Sequence, residues 1–168
     1  IPDPNFVIYP ALGPMTGARV VSCDTYPDFC MTAERLDPLI TDRTKLVIIN
    51  SPGNPTGVVL TDEQMRDVAE LCRDRGVMLL SDEIYDLFTY SAMRDERGRS
   101  PSPGTHGHDM LIVRGFGKNY GCTGWRLGYA AGPSWLIHEM SKFQQYSFVC
   151  APSMAQHAVV AAGDVDMS

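Results

Sequence analysis

The sequence predicts an α/β fold in three layers, with helices on both faces of a mixed, mostly parallel sheet. Short apolar runs alternate with segments of helical periodicity, and each run is nearly continuous in apolar residues. The first pattern is typical of strands joined by crossover helices, and the second is typical of strands covered on both faces. The strands are predicted over residues 19–23, 46–50, 77–81, 111–114 and 127–131.

Three helices are predicted between or after these strands. The clearest follows Thr61, a residue type that caps helix N-termini, has acidic residues in its first turn, and stops at Gly76. The others begin at Ser134 and after Pro152, and residues 91–109 are predicted as a long exposed loop. We interpret the apolar stripes of the three helices as core: Met65, Val68, Ala69 and Cys72; Leu136, Ile137, Met140 and Phe143; and Ala155, Ala158, Val159 and Ala162.

Composition narrows the class of protein. The chain has 168 residues, of which 44% are hydrophobic and 20% charged, as in one ordinary globular domain. The net charge is -6 and no Lys/Arg run occurs, so nucleic acid is not expected as a partner. The apolar runs are too short to span a bilayer, and the five cysteines form no C-x-x-C pair. We therefore expect a soluble, cytoplasmic protein with reduced thiols.

The most informative stretch is Arg114-Gly-Phe-Gly-Lys-Asn-Tyr-Gly-Cys-Thr-Gly-Trp-Arg-Leu-Gly128, which places Lys118 among glycines. Glycines let the backbone approach a ligand closely, and an amine in a cramped, partly desolvated loop becomes a nucleophile. This indicates a cofactor with a carbonyl group. By itself, however, the stretch fits a glycine-rich structural turn equally well.

Two polar clusters follow predicted strands and favour the cofactor. Asn54 lies in Asn50-Ser-Pro-Gly-Asn-Pro-Thr-Gly57, and Asp82 and Tyr85 lie in Ser81-Asp-Glu-Ile-Tyr85. The carboxyl ends of parallel strands are where ligands bind in open α/β sheets.

Each of these residues has a specific chemical use. The Asn54 amide and the Tyr85 hydroxyl can donate to a phenolate-like oxygen, and the Asp82 carboxylate can pair with a protonated ring nitrogen. The alternatives are a plain turn for Asn54, a helix cap for Asp82 and core packing for Tyr85.

Arg126 completes the set, because its planar guanidinium matches a phosphate; the alternative is a surface salt bridge. An amine for a carbonyl, a carboxylate for a pyridinium, two donors for a phenolic oxygen and an arginine for a phosphate together describe the binding needs of pyridoxal 5'-phosphate. The sequence therefore predicts pyridoxal phosphate as cofactor.

The strings Asn-Pro-Thr-Gly, Ser-Asp-Glu-Ile-Tyr and Gly-Lys-Asn-Tyr-Gly-Cys-Thr-Gly-Trp-Arg-Leu-Gly resemble the class I/II aminotransferases of pyridoxal phosphate fold type I, in the aspartate aminotransferase superfamily. The resemblance implies that Lys118 forms the Schiff base, that Asp82 pairs with the pyridine nitrogen, and that Arg126 binds the phosphate. It further implies that Tyr85 and Asn54 hold the 3'-oxygen and that Phe6 stacks on the cofactor ring, although Phe6 could equally belong to the core.

The resemblance covers residues 4–162 and implies that residues 1–168 are part of a large cofactor-binding domain. The family's N-terminal segment, with its glycine-rich phosphate loop, and its C-terminal small domain have no counterpart here, so we expect an incomplete chain that is inactive in isolation. Gly115 and Gly117 stand where the family often has serines, which weakens the phosphate cup.

The resemblance implies an aminotransferase that moves an amino group from an amino acid to a 2-oxo acid through the Lys118 Schiff base, as a homodimer. Two alternatives stay open: a pyridoxal-phosphate-dependent lyase of the same fold (a C-S lyase or aminocyclopropane-carboxylate synthase type), and a non-enzymatic effector domain of a transcription regulator. His106-Gly-His108 with Asp109 could hold a metal, but a polar loop without a further ligand argues against it. No metal is predicted.

Overall fold

The computed structural model describes residues 1–162. Its main sheet has the order β3 (Leu46–Asn50), β4 (Met78–Asp82), β5 (Met110–Gly115) and β6 (Gly128–Ala131). The first three strands are parallel, and β6 joins β5 in the antiparallel direction. A separate parallel pair is formed by β1 (Pro2–Asp3) and β2 (Cys23–Asp24). The predicted α/β fold with a mixed, mostly parallel sheet is confirmed.

Six helices accompany the strands in the described residues. They are α1 (Ile8–Thr16), α2 (Ala33–Leu36), α3 (Asp62–Asp74), α4 (Phe116–Asn119), α5 (Ser134–Ser147) and α6 (Ser153–Ala162). None of the described helices is long and apolar enough to cross a membrane.

The register of the main sheet places three polar loops at one edge. Asn50, the last residue of β3, pairs with Asp82, the last residue of β4, and Asp82 pairs with Val113 of β5. Strand β5 continues to Gly115, and α4 follows at once. The three strands thus end together, and the segments that follow them meet at the same edge.

Helix α3 forms as the sequence predicts, because a capping box closes its start. The Thr61 hydroxyl accepts from the Gln64 backbone N–H at 3.2 Å, and the Gln64 side chain accepts from the Thr61 N–H at 2.9 Å. The apolar face of α3 is buried against the sheet residues Val47, Ile49 and Leu79. This packing provides the core beneath the polar edge.

Two predicted elements differ from the structure. The strand predicted over residues 19–23 is reduced to Cys23–Asp24, since the residues before it do not pair with a neighbouring strand in the described part of the chain. The β6 strand is mostly exposed, because β5 is the only element of residues 1–162 that contacts it extensively. Coverage of both faces was therefore a wrong expectation for β6.

The two C-terminal helices also differ from each other. The stripe predicted as core on α5 is at most half-buried: Leu136 and Ile137 are half-buried, whereas Met140 is 36% and Phe143 75% exposed, because within residues 1–162 nothing covers that end of the face. On α6 the predicted inner face is confirmed, since Ala155 is buried and Ala158, Val159 and Ala162 are half-buried.

The loop over residues 91–109 is more ordered than its composition predicts. It contains single helical turns at Ser91–Met93 and Pro103–Thr105. Ser102 is buried, and its hydroxyl donates to the Glu83 carboxylate at 2.6 Å. The buried Glu83 carboxylate needs hydrogen-bond donors, which explains why Ser102 and this end of the loop are buried.

Candidate functional site

The loops after β3 and β4 meet through Asn54 and Tyr85. The Asn54 side-chain amide donates to the Tyr85 hydroxyl over 3.3 Å, and both residues are half-buried. Asn50 fixes Asn54 in place: its side-chain oxygen accepts from the Asn54 backbone N–H at 2.7 Å, while its amide donates to the Asp82 carbonyl at 2.9 Å. Asn50 belongs to the quoted motif, but no pattern in the sequence indicates that its side chain bonds both loops.

Each oxygen of the Asp82 carboxylate accepts one hydrogen bond. Its Oδ1 accepts from the Ile84 backbone N–H at 3.2 Å, so part of the capping alternative holds, although Ile84 and Tyr85 form a turn and a single helical turn starts only at Asp86. Its Oδ2 accepts from the Tyr9 hydroxyl at 2.7 Å. Tyr9 is 5% exposed, and burial together with this bond raises the pKa of its hydroxyl above the ordinary value. Sequence reasoning missed Tyr9, which shows no local signal.

Lys118 lies beside this pair of loops. Its Nζ is 5.9 Å from the centre of the Tyr85 ring, within reach of a cation–π contact. The Lys118 side chain is exposed, so the desolvation expected from its glycine neighbours is not seen in the described structure. The structure brings Lys118, Tyr85 and Asn54 together next to Asp82.

The two remaining predicted residues lie farther out. Phe6 is 40% exposed, and its ring packs edge to face on Tyr9 with 6.0 Å between centroids, which links it indirectly to Asp82. Arg126 is exposed with a left-handed backbone (φ 53°), and its guanidinium donates to the Thr123 carbonyl at 3.1 Å. The phosphate role of Arg126 and the stacking role of Phe6 stay predictions.

Neighbouring atoms occupy the space that side chains at Gly115 and Gly117 would need. A Cβ added at Gly115 would lie 2.4 Å from Cδ1 of Ile84, and one at Gly117 would lie 3.3 Å from the Thr123 Cα. The first approach is a clash, and the second is tighter than most real contacts. A side chain at Gly115 would thus require the flexible end of Ile84 to move, and one at Gly117 would require the backbone at Thr123 to give slightly.

The histidine cluster does not assemble into a metal centre. His106 Nε2 lies 3.0 Å from the Asp62 carboxylate, an ion pair when the imidazole is protonated. Within residues 1–162, no group of three or more His, Cys, Asp and Glu side chains is placed to hold a metal.

A family model described as aminotransferase class I and II matches residues 1–166. The chain belongs to this family.

Relatives within the aminotransferase family are similar along nearly the whole chain. A putative aminotransferase of Bacillus subtilis is 41% identical over 95% of this chain, and an aspartate aminotransferase of Geobacillus stearothermophilus is 39% identical over 96%. These matches cover 41% and 42% of the two relatives. The chain therefore spans about two fifths of the length of the curated aminotransferases it matches.

Solved aminotransferase structures give the same relationship. The Thermus thermophilus aspartate aminotransferase with maleate superposes with a TM-score of 0.89 at 36% identity, over 96% of this chain and 41% of that one. An aromatic aminotransferase from Pyrococcus horikoshii gives a TM-score of 0.83 at 37% identity, over 94% and 42%. The described residues therefore have the fold of solved members of the family that the sequence matches.

Proposed function

We propose that this chain is the cofactor-binding part of a pyridoxal-phosphate-dependent aminotransferase that transfers an amino group from an amino acid to a 2-oxo acid. The proposal depends on one arrangement of side chains. The Lys118 amine lies over the Tyr85 ring, and the Asn54 amide donates to the Tyr85 hydroxyl. Asp82 is the last residue of β4, at the same edge of the sheet. Membership of the class I and II aminotransferase family supports it.

The donor set fits pyridoxal phosphate. A carboxylate has about four acceptor positions, and Asp82 uses one on each oxygen, so it can accept another bond from a protonated ring nitrogen. The Asn54 amide and Tyr85 hydroxyl lie 3.3 Å apart, close enough for both to donate to one phenolic oxygen. The Lys118 amine is exposed and accessible to a carbonyl carbon.

Pyridoxal phosphate, when bound, supplies a carbonyl that combines with amines and a conjugated ring that withdraws electrons from the substrate's α-carbon. The Asp82 carboxylate would hold the proton on the ring nitrogen, and Asn54 and Tyr85 would hold the phenolic oxygen. Arg126 would bind the phosphate, and Phe6 would cover the ring. Lys118 would bind the carbonyl carbon at rest and, once displaced by the substrate amine, would take the proton from the α-carbon.

The proposal is tested by spectroscopy on the complete gene product. We expect pyridoxal phosphate to produce a visible absorbance band, and borohydride reduction to fix the cofactor on Lys118, as read by peptide mass spectrometry. Lys118→Ala should lose both signals. Lys142→Ala, which removes an exposed α5 lysine paired with Glu139, should keep them. A wild-type protein without the band, or with the label elsewhere, would contradict the proposal.

A second measurement separates amino-group transfer from elimination. We expect more than one equivalent of amino acid to be converted only when a 2-oxo acid acceptor is present, since without it the amino group has nowhere to go after the first transfer. Release of pyruvate and ammonia without an acceptor would instead assign a lyase of the same fold.

A further inference from the structure

A chain of polar side chains runs from the residue after Lys118 into the protein interior. The Asn119 amide donates to Asp86 Oδ1 at 2.7 Å, and Arg114 Nη1 lies 3.2 Å from Asp86 Oδ2. The same guanidinium donates from Nε and Nη2 to Glu83 Oε2 at 2.9 and 2.6 Å. Asn119 is thereby tied through two residues to Glu83.

Glu83 is a rigid anchor for this chain. It is 1% exposed, and its other oxygen accepts from the Ser81 and Ser102 hydroxyls at 3.0 and 2.6 Å. Burial alone would lower the pKa of the Arg114 guanidinium, but the bonds and charges of Glu83 and Asp86 raise it, so Arg114 stays charged. A buried carboxylate held by a cation and two hydroxyls cannot move without losing all these bonds.

This series of hydrogen-bonded side chains contacts α4, the helical turn that carries the Lys118 amine. Lys118 stands over Tyr85 and Asn119 bonds Asp86, so two consecutive residues of α4 face two consecutive residues after β4. With four residues, α4 is too short to be stable by itself, and tertiary contacts must set its orientation. Asn119 Oδ1 is buried without a hydrogen-bond partner among the described residues. The hydrogen bond from the Asn119 side-chain NH2 to Asp86 is therefore what holds that side chain in place.

We propose that Asn119, held through Asp86 and Arg114 by Glu83, is a positioning residue for the Lys118 amine. The inference rests on the proposed function, in which Lys118 is the reacting group. It assigns a role to residues outside the predicted cofactor contacts. Disturbing the hydrogen bond between Asn119 and Asp86 is expected to misdirect Lys118 without removing any group that touches the cofactor.

An exchange of donor and acceptor tests this role in the complete gene product. Asn119→Asp places two carboxylates at hydrogen-bond distance, so the turn must shift. Combining it with Asp86→Asn restores one donor and one acceptor between the two side chains and keeps the net charge, at the loss of the bond from the Leu87 N–H to Asp86 Oδ1. The readout is the ratio of pyridoxal phosphate trapped by borohydride on Lys118 to that trapped on Lys142, measured by mass spectrometry at saturating cofactor. In the trapping step, hydride and a water proton convert the adduct of amine and carbonyl into a stable secondary amine.

We expect the ratio to fall by about fivefold in Asn119→Asp, the equivalent of one ordinary hydrogen bond, and to recover in the exchanged pair. Asn119→Ala, which adds no charge, should fall similarly and covers the case in which Asn119→Asp fails to fold. Asp95→Asn, which alters an exposed Asp95–Arg99 pair, should leave the ratio unchanged.

Two results would overturn the inference: an unchanged ratio in both single variants, or a lost ratio that the exchanged pair does not recover. Loss of thermal stability with an unchanged ratio would likewise assign the chain a purely structural role. These outcomes differ from failure of the proposed function, in which the wild-type protein itself shows no preference for Lys118.

Discussion

The hydroxyl of Tyr9 donates a 2.7 Å hydrogen bond to Oδ2 of Asp82, a residue 73 positions later in the chain. The bond joins α1 to the end of β4 and orients the carboxylate that is proposed to hold the cofactor's ring nitrogen. Charge-assisted bonds of this kind are about twice as strong as neutral ones. The orientation of the Asp82 carboxylate thus depends on α1, a helix that contains none of the three sequence motifs.

Tyr9→Phe is expected to weaken pyridoxal phosphate binding by about tenfold while leaving the fold intact, because it removes the donor and keeps the ring. The affinity is measured by titrating the visible absorbance of the complete gene product. Tyr90→Phe, at a tyrosine that is 85% exposed, is the matched control and should not change the affinity. Equal affinities of wild type and Tyr9→Phe would show that Asp82 is oriented without Tyr9.

Much of the frame around this bond follows from local sequence. Strands β3 to β5 and helix α3 are predictable because apolar runs and a capping box are short-range patterns. Asn54 and Tyr85 are predictable as neighbours because each follows a parallel strand, and such strands end at one edge.

The features that could not be predicted from the sequence are contacts between residues far apart in the chain. The pairings of Tyr9 with Asp82 and of Ser102 with Glu83 join residues far apart, and no local pattern announces them. Glu83 looks like an ordinary polar residue in its string, yet it is among the most buried side chains. On α5 the opposite holds: the periodicity predicts a core face, but burial also requires a covering element, and residues 1–162 leave Met140 and Phe143 of that face uncovered.

Stability is expected to fall as the pH rises above 9. Burial raises the pKa of the Cys72 thiol from its ordinary 9.0 to about 11, so between these values the unfolded chain releases a proton that the folded chain retains. The stabilising contribution is complete below pH 9 and disappears toward pH 11, a change of about 2–3 kcal/mol. The raised pKa of Tyr9 extends the same trend above pH 10.

Urea unfolding at pH 8 and at pH 11 measures this difference. Cys72→Ala should flatten the dependence, whereas Cys150→Ala, at an exposed cysteine, should retain it. A Cys72→Ala variant with the same slope as wild type would assign the pH effect to other groups.

Thr61→Ala is expected to lower the free energy of unfolding by about 1 kcal/mol, because the capping box at the start of α3 loses its side-chain acceptor. Thr61→Ser keeps that oxygen and should retain most of the stability. Chemical denaturation of the three proteins gives the comparison. Equal losses in both variants would point to the methyl group of Thr61 rather than to the cap.

Gly115→Ser tests whether Ile84 excludes a side chain at position 115. Gly115 has extended backbone angles (φ -153°, ψ 153°) that any residue adopts, so the obstacle is steric rather than conformational. The new Cβ would lie 2.4 Å from Cδ1 of Ile84, a contact that a rotation of this half-buried side chain relieves at a cost of about 0.5–1.5 kcal/mol. We expect a loss of that size in chemical denaturation.

Ile84→Val supplies the decisive partner for Gly115→Ser, because it deletes Cδ1 and leaves Cγ1 at an ordinary 3.7 Å from the new Cβ. If the clash with Cδ1 is the cause, Gly115→Ser should be less destabilising in the Ile84→Val background than in the wild type, a non-additivity expected of residues in contact. Additive losses would mean that Ile84 does not exclude a side chain at this position.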